Sequence, residues 1–235
     1  MIKLDRKHNI FYLTLDNEEN RWNTEFVRII ASAIDEIEAS QGPAALVTTS
    51  SSSKFFSNGL DLDWIANTEG PDRDAFLPEF MALMGNIITL SIPSVCAING
   101  HAFGAGFMMA LCHDVRFMRK DRGFACANEI EIGMLIPEPE LALFKHKLPA
   151  NVFFETVQLA RRWTGSDAAD AGIVSEATDL SDLLPRAIEK AESLTHLGSN
   201  RQVYGAMKER LFGKLPSIND ANGAAYLLKT HKLMR

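Results

Sequence analysis

The run Ser94-Val95-Cys96-Ala97-Ile98-Asn99-Gly100-His101-Ala102-Phe103-Gly104-Ala105-Gly106-Phe107-Met108-Met109-Ala110-Leu111-Cys112 constrains this chain more than any other stretch. It begins as a short apolar β-strand, turns at Asn99-Gly100, and continues as a helix with no polar face. A helix that is apolar all round must be enclosed on every side. At about half the length of a membrane span, it requires a water-soluble fold large enough to bury a helix against a sheet. The small residues at its entrance let another group approach the backbone, and the free amide hydrogens of a first helical turn favour negative charge. The run therefore reads either as an anion or oxyanion site or as tight helix–sheet packing. A dinucleotide site is disfavoured, because Met109 stands where the third glycine of that fingerprint belongs.

The rest of the chain supplies the enclosure. Ile2–Leu4 and Ile10–Leu15 alternate apolar and polar residues around a turn, as a β-hairpin does. Asn23 can cap a helix whose apolar face carries Phe26, Ile29, Ile30, Ile34 and Ile37. Ala44–Thr48 reads as a buried strand and Phe76–Leu90 as a helix stopped by Ile92-Pro93. Asp114–Met118 and Gly172–Val174 read as strands, and Phe124–Ala127 as extended. Strand and helix alternate, so the expected class is α/β with a parallel sheet and crossover helices. The chain has 235 residues, 46% hydrophobic and 23% charged, enough to bury a full core. We expect a core over residues 1–195 and a helical region over 196–235.

Several function classes lose support. A net charge of −6 disfavours a nucleic-acid partner. The three cysteines lack the spacing of a disulfide framework or zinc site, the six histidines show no ligand motif, and no metal is expected. The nucleophile-elbow and phosphate-loop motifs are missing. Neither a membrane partner nor a secretory leader is expected. The compartment expected is the cytoplasm. The alternative is the peroxisome, because His231-Lys232-Leu233 resembles a peroxisomal address, although two residues follow it.

Two further segments bear on chemistry. Lys54-Phe55-Phe56-Ser57-Asn58-Gly59-Leu60-Asp61-Leu62 contains a turn suited to positive φ, able to aim an amide hydrogen at a ligand or simply to connect elements. Phe124–Met134 carries Glu129 and Glu131 in an apolar run. Carboxylates in such surroundings gain the raised pKa of a proton-transfer group, unless the run is an exposed edge. The aromatic and sulfur side chains of Trp64, Phe76, Phe80 and Met84 could line an acyl channel or fill a helix core.

Taken with Asn20-Arg21-Trp22-Asn23 and Thr164 through Val174, these segments resemble the crotonase superfamily of enoyl-CoA hydratases and isomerases. The resemblance implies a spiral of ββα units, a helical C-terminal trimerisation region, and a homotrimer or dimer of trimers. It implies acyl-CoA thioesters as substrates, with coenzyme A present only as part of the substrate and no separate cofactor. By position, the amides of Leu60 and Ala105 match the oxyanion hole, although Ala105 replaces a residue that is commonly glycine. Arg21, Trp22, Lys54, Asn58 and Leu62 match positions along the CoA path.

Hydratases of this family use two glutamates. The first position is Met108 here, and the second is Glu129. The pattern therefore resembles a Δ3,Δ2-enoyl-CoA isomerase, in which one carboxylate moves a proton from C2 to C4. Glu131 is an alternative base, since two residues apart on an extended segment share a face. Other isomerases place the acid a few residues later, near Glu138 and Glu140, and the offset makes Glu138 a second alternative. Hydration, thioester hydrolysis, decarboxylation and catalytically silent acyl-CoA binding are the competing expectations.

Overall fold

The computed structural model describes residues 1–213 and 224–230. In chain order the elements are β1 (Ile2–Lys7), β2 (Ile10–Leu15), α1 (Thr24–Ala39), β3 (Ala45–Ser50), β4 (Phe55–Ser57), α2 (Leu62–Asn67), α3 (Pro71–Ile88), β5 (Ser94–Ile98), β6 (His101–Phe103) and α4 (Ala105–Cys112). They continue with β7 (Val115–Arg119), β8 (Ala125–Cys126), α5 (Glu138–Lys147), α6 (Ala150–Gln158), α7 (Gly165–Asp170), β9 (Glu176–Thr178), α8 (Leu180–Leu194), α9 (Arg201–Phe212) and α10 (Ala224–Thr230). Short 3-10 turns lie at Glu129–Ile132 and Leu197–Ser199.

Two sheets take alternate strands. One has the order β1-β2-β3-β5-β7-β9, and the other β4-β6-β8. Among the strands of the described residues the β1–β2 hairpin pairs antiparallel and the others pair parallel, with one isolated antiparallel bridge from Ala125 to Trp163. Each repeat of the chain thus lays one strand in the large sheet and one in the small sheet, then returns through a helix. This is the ββα spiral expected of the crotonase fold. The large sheet has buried strands because helices cover it, with α8 packed against β3, β5 and β7.

Local chemistry sets the element ends. Asn23 accepts from Phe26 N–H at 2.9 Å and so starts α1, whose apolar stripe includes Phe26, Ile30, Ile34 and Ile37, all buried. Asp61 does the same for α2 through Trp64 N–H at 3.0 Å. All eight residues of α4 are buried, as its lack of a polar face requires. It packs against β4, β6, α3 and α5. His113, at its end, is fully buried. Its ring is held between the Met109 carbonyl at 2.9 Å and Thr48 Oγ1 at 2.8 Å, which makes it a packing residue.

Three expectations change. The strand placed at Gly172–Val174 is a turn. Ile173 and Val174 N–H both donate to the Ala168 carbonyl, closing α7, and the strand that joins β7 is Glu176–Thr178. The Lys54–Leu62 loop contains β4, and the Asn99-Gly100 turn leads first into β6. Both strands have three residues, too few for alternation to declare itself. The C-terminal α9 is fastened to the spiral by a buried cluster. Lys208 Nζ meets Asp114 Oδ2 at 2.8 Å, and Tyr204 Oη donates to the same oxygen at 3.0 Å. The His231-Lys232-Leu233 triplet lies outside the described residues.

Candidate active site

The site is built where the small sheet meets α4. Trp22 forms a parallel bridge with Leu60. Trp22 N–H donates to the Gly59 carbonyl at 3.0 Å, and Asp61 N–H donates to the Trp22 carbonyl at 3.0 Å. Successive N–H groups of an extended segment point to opposite sides. With Asp61 N–H engaged by Trp22, Leu60 N–H is turned away from Trp22, and Leu60 is one of the residues that line the pocket. Ala105 is the first residue of α4, so its N–H has no acceptor within the helix, and the helix dipole adds positive character there. Gly59 makes this closeness possible. It sits at φ +80°, and a Cβ there would lie 3.0 Å from the Phe103 carbonyl oxygen and 4.0 Å from Ala105 N.

The framework behind the two amides is tightly bonded. Trp22 Nε1 donates to Ser57 Oγ at 2.9 Å, and Ser57 Oγ donates to the Asn20 carbonyl at 2.7 Å. Asn20 Nδ2 donates to Ser50 Oγ at 2.8 Å and to the Phe56 carbonyl at 2.9 Å. These bonds clamp the Asn20–Trp22 segment onto β4 and fix the Leu60 amide. Trp22 itself is 0% exposed, packed on Phe26 and Phe80.

The cavity holds about 470 Å³, within the roughly 300–1,000 Å³ of small-molecule sites. Leu60, Ala105 and Gly104 line it beside Glu129, and its apolar wall includes Leu77, Phe80, Met81 and Met108. Arg21, Asn58 and Leu62 are at its edge. There Glu19 accepts from Arg21 Nε at 2.8 Å and from Asn58 Nδ2 at 2.7 Å, orienting both. Lys54 does not line the cavity. Its ammonium stands 4.6 Å above the Phe55 ring. The Trp22 side chain is likewise in the core rather than at the edge. Of the suggested acyl-channel residues, Phe80 lines the cavity, Phe76 and Met84 are buried core, and Trp64 packs edge-on against Phe76.

The carboxylates separate cleanly. Glu129 faces the cavity, and its Oε2 has no hydrogen-bond partner. A Cβ on Gly104, which has φ +47°, would lie 2.7 Å from Glu129 Oε1, so glycine is what lets the carboxylate lie against the helix entrance without shifting. Burial pushes the Glu129 carboxyl above the usual range. Glu131 points away. The segment is a 3-10 turn rather than extended, so residues two apart do not share a face. Glu131 is ion-paired with Arg162 at 2.6 Å in an exposed position. Glu138 is exposed at the start of α5 and does not line the cavity. Glu140, two residues on in the same first turn, does line it. It is 5% exposed, its Oε1 is unpartnered, and burial together with the Glu129 charge holds its carboxyl well above the usual range. Sequence reasoning noted Glu140 only in passing. The signal available was its spacing, three and four residues before the apolar pair Leu143 and Phe144, which puts it on their side of the helix.

Among the described residues no group of His, Cys, Asp and Glu is placed to hold a metal ion, and no helix is long and apolar enough to cross a membrane.

The chain is 30% identical over 241 residues to enoyl-CoA delta isomerase 3 of Arabidopsis thaliana, covering 99% of this chain and 100% of that protein. It is 31% identical to the peroxisomal enoyl-CoA delta isomerase 1 of the same plant, covering 90% and 89%. A crystal structure of a probable enoyl-CoA hydratase from Mycobacterium tuberculosis superposes with a TM-score of 0.80 at 25% identity, covering 97% of this chain and 91% of that one. The enoyl-CoA hydratase/isomerase family model matches residues 5–224. With the alternate-strand spiral in place and the family model covering most of the sequence, the chain belongs to the enoyl-CoA hydratase/isomerase family.

Proposed function

We propose that the protein is an enoyl-CoA isomerase converting 3-enoyl-CoA to 2-enoyl-CoA. Glu129 is the base. The thioester carbonyl accepts hydrogen bonds from the Leu60 and Ala105 amides, which stabilise the negative charge that develops on it as a proton leaves C2. One carboxylate suffices for the cycle: Glu129 takes the proton from C2 and returns it at C4. The observation that carries this reading is the unpartnered Glu129 carboxylate beside the Ala105 helix entrance. Met108, buried on the same wall, has no proton to offer. Arg21, Asn58 and Leu62 stand where the CoA moiety would enter. The printed names of the full-length plant relatives point the same way.

We assign the C-terminal region, residues 196–235, to assembly as a homotrimer or dimer of trimers. The cytoplasm remains the proposed compartment. The peroxisomal names of two plant relatives support the alternative.

The test is direct. Purified protein given 3-enoyl-CoA should form 2-enoyl-CoA without water uptake, and Glu129→Gln should lower kcat by about 100-fold or more while CoA binding persists. Full turnover by Glu129→Gln would refute the base assignment. A second reading, water addition to 2-enoyl-CoA, is favoured by one observation, the second cavity carboxyl at Glu140. Formation of 3-hydroxyacyl-CoA from 2-enoyl-CoA would select it.

A further inference from the structure

We propose that Glu140 is a second catalytic acid of this pocket, delivering the proton to C4 while Glu129 removes the proton from C2. The inference rests on the isomerase reading and replaces the return half of its cycle.

A buried, unpartnered carboxyl on an acyl-pocket wall is costly, since an unmade hydrogen bond there forfeits the solvation that water would supply. Packing does not require it, because leucine would fill the same side of α5 beside Leu143 and Phe144. Glu140 is placed by an element of its own. Helix α5 packs against α4, with Phe144 and Phe107 ring centroids 5.6 Å apart, and turns Glu140 into the cavity that Glu129 enters from the 3-10 turn. Each carboxyl leaves one oxygen without a partner, Glu129 Oε2 and Glu140 Oε1. Two like charges in one apolar cavity cannot both ionise cheaply, so the pair holds one proton. The more deeply buried Glu140 keeps it, because both burial and the Glu129 charge favour its neutral form. Glu129 is then the carboxylate and Glu140 the acid before substrate arrives.

The steps balance. Glu129 takes H⁺ from C2, and the C2–H electron pair becomes the C1–C2 π bond, sending charge to the thioester oxygen. When the carbonyl reforms, those electrons move to C2–C3. The former C3–C4 π pair takes H⁺ from Glu140 at C4. Glu129 is now protonated and Glu140 ionised, and proton exchange between them or with water restores the starting pair.

Turnover of unlabelled 3-enoyl-CoA in D₂O, stopped early, tests the assignment. Glu140 will have exchanged with solvent, so wild-type product should carry one deuterium at C4. Glu140→Gln should lose about 100-fold in kcat, and its residual product should carry at C4 the hydrogen that Glu129 took from C2. Retention of that hydrogen by the wild type overturns the role of Glu140 and leaves the isomerase reading intact. So does a Glu140→Gln protein with unchanged rate or label. That wild-type result overturns the role even where the variant folds poorly, and a deuterium at C4 supports Glu140 only together with its loss in Glu140→Gln. Failure of the wild type to convert 3-enoyl-CoA overturns both.

Discussion

Gly104→Ala separates what the fold needs at the helix entrance from what the chemistry needs. The added Cβ meets two obstacles. The first is backbone strain, because φ at Gly104 is +47°, in the left-handed half of conformational space. Its ψ of −115° lies outside the left-handed helical well, and a residue with a Cβ pays about 1–3 kcal/mol there. The second is the Glu129 carboxylate, whose Oε1 would lie 2.7 Å from the new atom against an ordinary contact of at least 3.4 Å. Glu129 must therefore retreat by about 0.7 Å, and a misplacement approaching 1 Å of a reacting group costs up to roughly 100-fold in rate. Because the oxygen is the free end of a side chain, its retreat adds little to the folding cost. Stability should fall by about 1–3 kcal/mol, or about 2–12 °C in Tm for a chain of this size. Turnover of 3-enoyl-CoA, followed by appearance of the conjugated thioester, should fall about 10- to 100-fold. Gly42→Ala is the matched control. Its φ is +82°, and nothing lies within 4 Å of the Cβ position, so it should show a similar stability loss with normal turnover. Wild-type activity in Gly104→Ala, or equal activity losses in both variants, would refute the placement of Glu129 at the helix entrance.

Glu131→Gln should leave turnover unchanged and cost under about 1 kcal/mol in urea melts, because its partner Arg162 is exposed; a large rate loss would return Glu131 to the list of bases. Lys208→Met should destabilise by about 3–5 kcal/mol, since it leaves Asp114 buried without its cation; a denaturant curve with an unchanged midpoint would contradict this. Burial lowers the His113 pKa from 6.5 to about 4. The unfolded chain therefore binds a proton that the folded one refuses, and stability is lost as pH falls from about 6.5 toward 4, by about 3 kcal/mol for the full shift. His113→Gln should flatten that part of the stability-against-pH curve, and a curve identical to wild type would count against it. For Glu140 the sign is opposite: its raised pKa makes ionisation on the high-pH side unfavourable to folding, so Glu140→Gln should gain Tm relative to wild type at pH 8 and lose that gain below the ordinary carboxylate pKa of 4.5.

The spiral was legible in the sequence where local chemistry and burial agree. The cap at Asn23, the apolar run of α4 and the strands β5 and β7 are each long or distinctive enough to be read from pattern alone. What escaped was everything fixed by a distant partner. Strands β4 and β6 have three residues each and exist because they pair with one another. The strand misplaced at Gly172–Val174 fails because the Ala168 carbonyl captures two of its N–H groups. The positions matched to the CoA path divided for the same reason. Arg21, Asn58 and Leu62 reach the cavity edge, whereas the bond from Trp22 to Ser57 draws its indole into the core, and Lys54 sits on Phe55.

The carboxylates show this dependence most sharply. Glu129 and Glu131 would share a face on a strand, and a single 3-10 turn sends one to the cavity and the other to Arg162. Glu138 and Glu140 stand in the first turn of one helix, and rotation about its axis leaves the first exposed and buries the second. The absence of an acid at Met108 argues for isomerisation only while Glu129 works alone. Once Glu140 enters from α5, the cavity again holds two proton-carrying groups, on different elements from the pair used by hydratases. Reaction type then depends on whether a water molecule or C4 of the acyl chain occupies the space in front of Glu140. The apolar wall of Leu77, Phe80, Met81 and Met108 favours the chain. It gives a water molecule few partners, and an ordered water needs at least two.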